Sequence, residues 1–339
     1  MAGGEATGVG RYINALMEAL HASPGVTLRP YGRWGPPVAG PQLMSPLRMR
    51  REGADLVHGP ANSLPLVRIG LPGVITVHDL AIYDHPEWFP SGQWFAIRVV
   101  VPRSIRGAQA VICPSVATRD AIGRLFGVAA EQCHVIPHGV EPEFAQPVGE
   151  EVRAAVRRRY GLPDQYLLQV GTIQPRKNYV TTLRALARIP VDARLPLVAV
   201  GGAGWGDSSV AETVARLELK PWVRFVGYAG LTDLPALYQM AQAAVFPSLD
   251  EGFGLPVLEA FAAGTPLAAS NAGAIPEVAG DAALLCEPLD DVALAANLQQ
   301  LINGASARAR LVAAGRARAE RFTWAASAAA HLDVYRAVA

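Results

Sequence analysis

The sequence predicts an α/β protein built from two doubly wound, largely parallel sheets. Its length of 339 residues suits two domains of ordinary size. Short apolar runs bounded by Gly, Pro or Asp alternate with longer helical patterns, as buried parallel strands alternate with crossover helices. Hydrophobic residues make up 51% of the chain and charged residues 17%, which supplies apolar surface for two cores and argues against disorder.

Eleven apolar runs are candidate strands. They are 26–31, 56–58, 74–77, 110–113, 134–136, 166–170, 197–200, 223–226, 243–246, 266–269 and 283–286. Helical patterns between and after them include 12–21, 118–126, 150–160, 180–187, 233–241 and 324–337. A break rich in Pro, Gly and Glu at 137–147 is the predicted linker.

This pattern predicts two Rossmann-like domains, 1–143 and 144–322, facing each other across a cleft, with a final helical segment at 323–339. In open sheets of this kind, ligands bind beyond the carboxyl ends of the strands. Motifs that directly follow a predicted strand are therefore the candidates for function.

Composition limits the partners and the compartment. The formal net charge of +1 gives no argument for nucleic-acid binding. Cys113, Cys133 and Cys286 lie in or beside apolar runs, which is typical of buried thiols in a reducing compartment. No signal peptide is visible, and no apolar run reaches the ~18 residues of a spanning helix, so we expect a cytoplasmic protein.

The most informative segment is 248–260, which reads S-L-D-E-G-F-G-L-P-V-L-E-A. Glu251 and Glu259 are separated by seven residues, with a Gly-x-Gly turn and Pro256 between them. Pro suits the first helical position, so Glu251 should lie in a loop and Glu259 in the early turns of a helix. The start of a helix favours an anion, and Glu251 would accept hydrogen bonds from hydroxyl groups beside it. That combination suits a nucleotide-activated sugar.

This segment resembles the E-x7-E signature of the family 4 retaining glycosyltransferases, which have the GT-B fold. The resemblance implies that Glu259 holds ribose hydroxyls of the nucleotide and that Glu251 contacts the sugar. The N–H groups of Phe253, Gly254 and Leu255 are then candidates for binding the sugar or a phosphate. An isolated pair of Glu at this spacing would more often face solvent, but here the whole motif is intact.

A second motif, G-T-I-Q-P-R-K-N, follows the first strand of the second domain. Arg176 and Lys177 can supply a guanidinium fork and a point charge to a leaving diphosphate. A solvated basic pair is the alternative interpretation, and the position between strand and helix favours phosphate binding. Thr172, in the same motif, is also a donor-binding candidate. Some relatives carry an arginine at this position, so the sequence leaves open which basic residue makes the second phosphate contact.

Motifs of the first domain also match the family. Gly8, Val9 and Gly10 open a G-V-G-R-Y sequence before a helix, and in the family this loop touches the donor phosphate or the acceptor. His78, in T-V-H-D-L at a strand end, corresponds to a histidine that contacts the donor sugar and is not a nucleophile. His58, at another strand end, is either structural or on the acceptor side.

Two further features complete the candidate site. Tyr228 follows a strand and either stacks on the nucleotide base or packs in the fold. No D-x-D pair of carboxylates is placed to hold a metal, and the family works without one, so we expect neither metal nor other cofactor.

The chain departs from the family at its start. Family members usually open with a short central strand, whereas Met1-Ala2-Gly3-Gly4 has no strand-like pattern. The first strand of the N-terminal domain is therefore expected to be missing, which would weaken that domain.

The segment 94–106 mixes aromatic, aliphatic and arginine side chains. It could lie on the anionic inner face of a membrane, as many relatives with lipid-linked acceptors do. A buried helix with arginines on its solvent side explains the pattern equally well.

Together these features predict a metal-independent, retaining glycosyltransferase that moves a hexose onto a hydroxyl of a glycan or lipid-linked acceptor. By resemblance to bacterial mannosyltransferases of polysaccharide assembly, the donor is of the GDP-mannose or UDP-glucose type. The alternatives are a non-catalytic sugar-nucleotide binding protein, a GT-B epimerase and a phosphorylase. A pyridoxal phosphorylase would need a Schiff-base lysine, and only Lys220 exists beyond Lys177.

Overall fold

A computed structural model describes residues 8–31, 45–65, 67, 70–92, 94–205 and 207–339. The described chain divides into two compact units. Unit 1 comprises the described residues up to Gly139 together with Thr323–Ala339, and unit 2 comprises Val140–Phe322. The expectation of a missing first strand concerns residues 1–4, which lie outside the described residues.

Unit 1 contains a parallel sheet of four strands in the order β1-β2-β3-β4 among its described residues. The strands are β1 (Val57–Gly59), β2 (Gly73–Thr76), β3 (Ala110–Cys113) and β4 (Cys133–Val135). The helices are α1 (Gly8–His21), α2 (Ser45–Arg51), α3 (Ala81–Asp84), α4 (Val101–Gly107), α5 (Val116–Phe126) and, at the end of the chain, α14 (Trp324–Val338). A π-helical turn, Ala96–Val100, leads into α4.

One predicted strand of unit 1 is wrong. Residues 26–31 form no strand, although Val26 and Leu28 still pack against the apolar cluster around Tyr12 and Trp324. Pro30 has no N–H to give to a ladder, which disfavours pairing in this run. Val26 and Leu28 therefore pack partly buried against this cluster and do not form a strand.

Unit 2 contains a parallel sheet of six strands in the order β10-β9-β8-β5-β6-β7. They are β5 (Leu167–Val170), β6 (Leu197–Val200), β7 (Val223–Gly227), β8 (Ala243–Phe246), β9 (Leu267–Ser270) and β10 (Leu284–Cys286). Its helices are α6 (Glu150–Tyr160), α7 (Tyr179–Arg188), α8 (Asp207–Arg216), α9 (Leu234–Met240), α10 (Leu255–Ala263), α11 (Ile275–Ala279), α12 (Asp291–Asn303) and α13 (Ala305–Ala319).

The strand order of unit 2 reverses at β5. The chain continues from β5 to β6 on one side, and later places β8 against the other side of β5. The loops that follow β5 and β8 leave the same end of the sheet side by side at this reversal, which is where open α/β sheets bind ligands. The predicted α/β class and parallel sheets are thus confirmed, with strand ends within one or two residues of the predicted runs outside 26–31.

Within the part of the chain that the structure describes, no helix combines the length and the apolar character required to cross a bilayer. All three cysteines are buried, as predicted.

A buried chain of hydrogen bonds fastens α14 to the sheet of unit 1. Tyr12 Oη lies 2.9 Å from His331 Nε2 and 2.8 Å from Thr76 Oγ1. His58 Nε2 lies 2.8 Å from Thr76 Oγ1, and Tyr335 Oη lies 2.7 Å from His58 Nδ1. This series of hydrogen bonds joins α1, β1, β2 and α14.

The carbonyl group at one end of this series fixes the direction of every hydrogen bond in it when the histidines are neutral. The Ser327 carbonyl can only accept, so His331 Nδ1, 2.7 Å away, carries the proton and Nε2 accepts from the Tyr12 hydroxyl. Tyr12 has one proton, so Thr76 donates to Tyr12 and accepts from His58 Nε2–H. His58 Nδ1 then accepts from the Tyr335 hydroxyl.

Burial keeps these histidines neutral. It lowers the pKa of His331 to about 4, with the nearby His78 contributing in the same direction. It lowers the pKa of His58 to about 3, again with neighbouring histidines adding to the effect. A proton on either ring would remove an acceptor and break the chain of hydrogen bonds.

We predict that acid destabilises the protein through His331. The folded pKa of about 4 lies below the ordinary 6.5 of an unfolded chain, so between these pH values the unfolded chain binds more protons. The contribution of neutral His331 to the free energy of unfolding is complete above pH 6.5. It is lost as the pH falls towards 4, by up to about 1.4 kcal/mol per pH unit. Thermal unfolding from pH 7.5 to 5 should show this decline together with that of His58, and His331→Gln should make the decline less steep.

The matched control is His21→Gln, at the exposed end of α1. This variant should keep the wild-type pH dependence. An equal slope in His331→Gln and in the wild type would show that the buried ring does not carry the effect.

Candidate active site

The predicted cation pair lies in the loop that follows β5. Arg176 and Lys177 belong to a short 3-10 turn, Pro175–Lys177, that ends at Asn178 with a left-handed φ of 54°. Asn tolerates this conformation better than most residues. Its side-chain amide donates to the carbonyls of Pro247 (2.8 Å) and Pro288 (2.6 Å), which anchors the loop to the segments after β8 and β10.

Several contacts define the position of Lys177. Its aliphatic carbons pack on Gly171, where an added Cβ would approach them to 3.2–3.3 Å. The Gln169 side chain donates to the Lys177 carbonyl at 2.9 Å, and the ammonium lies 4.9 Å from the centre of the Phe246 ring. The side chain is only 13% exposed, so its charge is largely removed from water.

The carboxylate of Glu251 joins this cation pair. Its Oε1 lies 2.5 Å from Lys177 Nζ, and its Oε2 lies 3.4 Å from a terminal nitrogen of Arg176. Burial by itself would raise the pKa of Glu251, but the charges of Lys177 and Arg176 outweigh burial and hold it below its ordinary value. Glu251 is therefore ionised at neutral pH, and the cluster carries one net positive charge.

The backbone around Glu251 is held from both sides. The Leu249 N–H donates to the Arg176 carbonyl at 2.8 Å, which ties the β8 loop to the β5 loop. The Ala274 N–H donates to the Glu251 carbonyl at 2.8 Å. Gly273, with φ of 54°, lies so close that a Cβ there would approach the backbone nitrogen of Glu251 to 2.7 Å.

Helix α10 begins directly after this loop. Gly254 is its N-cap residue with a left-handed φ of 97°, and Leu255 and Pro256 form its first turn. Pro256 is thus the second helical residue rather than the first. Phe253 is buried, with its ring 6.0 Å from that of Phe322. The N–H groups and dipole at this helix start favour an anion.

Glu259 lies in the second turn of α10 and is buried. Its Oε2 accepts a hydrogen bond of 2.8 Å from the Tyr238 hydroxyl of α9. The position in an early helical turn agrees with the sequence prediction. The Tyr238 contact was not predicted, because nothing in the local sequence pairs residues of α9 and α10.

Thr172 and Tyr228 follow β5 and β7. Thr172 is exposed, and its loop runs against the loop after β6, where a Cβ at Gly201 or Gly204 would overlap the backbone of residues 171–173. Sequence reasoning missed these two glycines. Tyr228 is 55% exposed and follows the edge strand β7, two strands away from β5.

The first-domain candidates lie in unit 1. Gly8, Val9 and Gly10 belong to the first described turn of α1 rather than to a loop before it, because glycine also adopts helical dihedrals. Tyr12 lies two residues after Gly10 in the same helix. Its ring contacts the ring of His78 edge-on, with 4.6 Å between the ring centroids.

His78 makes hydrogen bonds with both ring nitrogens. Nε2 lies 2.8 Å from the Pro60 carbonyl, and Nδ1 lies 3.3 Å from His138 Nε2. Burial lowers the pKa of His78, partly offset by the Pro60 contact and by Asp79, so the ring is neutral at neutral pH. Its Nε2 carries the proton because a carbonyl only accepts. His138, which follows β4, was not predicted, although a histidine after a strand is a usable signal.

His58 also uses both nitrogens within unit 1, on Thr76 and Tyr335. Of its two predicted interpretations, this geometry favours the structural one. Among the described residues, no three His, Cys, Asp or Glu side chains are grouped to hold a metal ion.

The structure therefore brings the second-domain candidates Arg176, Lys177 and Glu251 into direct contact. Phe253, Gly254, Leu255 and Glu259 continue from that cluster along the start of α10. The arrangement combines a partly buried cation pair, a helix start and two carboxylates, which can bind an anion next to hydroxyl groups.

Comparison with known proteins gives two family matches that together span most of the chain. Residues 14–144 match the model described as Glycosyltransferase Family 4, and residues 153–318 match Glycosyl transferases group 1. The chain is 34% identical over 292 residues to O-antigen chain mannosyltransferase B of Escherichia coli, covering 84% of this chain and 75% of that protein. It is 32% identical over 311 residues to D-inositol 3-phosphate glycosyltransferase of Xylanimonas cellulosilytica, covering 84% and 73%.

Solved structures share the fold. Sucrose-phosphate synthase from Thermosynechococcus elongatus aligns with a TM-score of 0.78 and 24% identity, covering 98% of this chain and 93% of that chain. HepE from Anabaena, in complex with UDP and glucose, aligns with a TM-score of 0.74 and 23% identity, covering 87% and 81%. These neighbours have the GT-B fold, in agreement with the fold predicted from the sequence.

Proposed function

The chain belongs to the glycosyltransferases of group 1 and family 4, and from this premise we propose that it transfers a hexose, with retention, from a nucleoside-diphosphate sugar to a hydroxyl group. The observation that carries the proposal is the partly buried cation pair Arg176–Lys177 beside the start of α10. It lies at the strand reversal of unit 2, where ligands of open α/β sheets bind.

In this proposal the diphosphate binds to Lys177, Arg176 and the N–H groups around Gly254. When the bond between the anomeric carbon and the phosphate oxygen breaks, negative charge grows on the leaving diphosphate. Preorganised cations in a site removed from water stabilise that charge more than they stabilise the bound donor. The chemistry therefore needs no metal ion in this scheme.

Retention follows from a front-face displacement. The acceptor oxygen bonds to the anomeric carbon on the face that the diphosphate leaves, and the acceptor proton passes to a phosphate oxygen. Glu251 contacts the sugar hydroxyls and Glu259 the ribose hydroxyls. His78 of unit 1 has protein partners on both ring nitrogens, so any contact it makes with a sugar is made by the face or edge of its ring.

The donor is of the GDP-mannose or UDP-glucose type. The relative from Escherichia coli is a mannosyltransferase, which supports a mannose donor, and the HepE complex with UDP and glucose supports a uridine nucleotide. The family matches favour transfer over the alternatives of an epimerase, a phosphorylase or a non-catalytic binding protein. The O-antigen relative supports a glycan or lipid-linked acceptor.

A lipid-linked acceptor agrees with one surface of unit 1. Trp94 and Phe95 are 67% and 50% exposed, and Arg98, Arg103 and Arg106 are exposed beside them along the chain. The segment 94–106 contains no acidic residue. Exposed aromatic and arginine side chains suit an anionic lipid surface, so we include peripheral membrane contact in the proposal.

We predict that Lys177→Ala lowers kcat by about 10²–10³, because loss of one preorganised charge costs ~3–4 kcal/mol at the transition state. The measurement is release of the nucleoside diphosphate from each member of a panel of GDP-, UDP-, ADP- and dTDP-sugars, in the presence of an acceptor extract. Lys220→Ala is the matched control, since Lys220 is exposed and is the only other lysine. Wild-type turnover in Lys177→Ala would contradict the assigned role.

We predict that Glu259→Gln weakens GDP or UDP binding about tenfold or more, because a hydrogen bond to a charged acceptor contributes roughly 1.5–3 kcal/mol. Calorimetric titration measures the affinity. Tyr238→Phe serves as control, since it removes the hydrogen bond from Tyr238 to Glu259 and leaves the carboxylate. If Glu259→Gln binds the nucleotides as tightly as wild type, the ribose assignment is wrong.

We predict that the double variant Trp94→Ser, Phe95→Ser loses binding to phosphatidylglycerol vesicles in sedimentation. Burying one large apolar side chain contributes roughly 1.5–3 kcal/mol, so the loss should exceed tenfold. Leu289→Ser is the control, since Leu289 is 72% exposed but lies in unit 2. Equal sedimentation of the double variant and the wild type would remove the membrane part of the proposal.

A further inference from the structure

Glu251 and the proposed diphosphate use the same two cations. The carboxylate spans Lys177 and Arg176 through its two oxygens, at 2.5 and 3.4 Å. The three side chains are between 8% and 13% exposed, so the cluster has little access to water. A phosphate that binds Lys177 closely would meet the ionised carboxylate at contact distance.

We propose that Glu251 is an internal competitor of the diphosphate: the donor displaces the Glu251 carboxylate from Lys177 and Arg176, and the carboxylate turns to the sugar hydroxyls. This inference rests on the proposed function, in which these two cations hold the diphosphate. It adds that the contact between Glu251 and the cations is exchanged during donor binding rather than kept.

The electrostatics of the cluster support an exchange. Two anions that share one cation pair in a site of low polarity repel each other strongly, because little water is present to screen them. A diphosphate carries more charge than one carboxylate and can contact both cations and the helix start together. It therefore replaces the carboxylate, whereas a weakly charged ligand does not.

The local geometry shows how the exchange can occur. The backbone of Glu251 is fixed by the hydrogen bond from Ala274 and by the close approach of Gly273. The cations are fixed by Asn178 and by the packing of Lys177 on Gly171. The rotatable bonds of the Glu251 side chain allow its carboxylate to swing without displacing either loop.

If Glu251 competes with the diphosphate, removal of its charge should strengthen diphosphate binding. If Glu251 instead supports the site, the same change should weaken binding. In Glu251→Gln the shape is kept and the competing charge is removed, so UDP and GDP should bind about tenfold tighter, equivalent to about 1.4 kcal/mol. Uridine and guanosine, which lack phosphate, should bind as in the wild type. Calorimetric titration of the full chain measures all four ligands. Transfer should nevertheless slow, since the sugar loses a charged acceptor.

Glu212→Gln is the matched control, because Glu212 is exposed on α8 and its loss changes the net charge equally. In a Lys177→Ala background the gain from Glu251→Gln should vanish, since the shared cation is gone. Glu251→Asp, which withdraws the carboxylate by one methylene, should also tighten binding and serves if the Gln variant fails to fold.

Weaker or unchanged UDP and GDP binding in Glu251→Gln, relative to Glu212→Gln, would overturn the inference and make Glu251 a residue that positions Lys177. If Lys177→Ala still weakens diphosphate binding in that case, the proposed function stands and only the exchange is wrong. If Lys177→Ala leaves diphosphate binding unchanged, the proposed diphosphate site itself is wrong.

Discussion

The reversal of strand order at β5 is the constraint on which the candidate site depends. Because β8 lies beside β5 while the chain leaves β5 towards β6, the loops after β5 and β8 lie next to each other at one edge of the sheet. One loop supplies Lys177 and Arg176, and the other supplies Glu251. The hydrogen bond from Leu249 to the Arg176 carbonyl shows that these loops are joined by backbone as well as by charge.

The site is built on rigid supports rather than on the charged groups themselves. Asn178 anchors the basic loop to Pro247 and Pro288, and Gly273 allows the acidic loop to pass close to its neighbour. Lys177, whose stem packs on Gly171 within this frame, keeps its position as the charge of a ligand changes. Preorganised cations of this kind suit an anion better than a basic pair on a mobile surface does.

Buried polar side chains have a different role in unit 1. His58 and His331 are kept neutral by burial and act as donors and acceptors in a series of hydrogen bonds that ends on a carbonyl group. His331 of α14 binds Tyr12 of α1, and Tyr335 of α14 binds His58 of β1. The last helix is therefore attached to unit 1 by oriented hydrogen bonds in addition to apolar packing.

Local sequence determined the strands, the helices and the positions of Lys177, Glu251 and Glu259 relative to them, because periodicity and turn residues act over a few positions. It failed at 26–31, where apolar residues serve burial without pairing. The tertiary structure alone decided that Glu251 meets Lys177, that Tyr238 meets Glu259 and that His138 meets His78. These partners lie 74, 21 and 60 positions apart, and strand order and helix packing, which local patterns do not encode, bring them together.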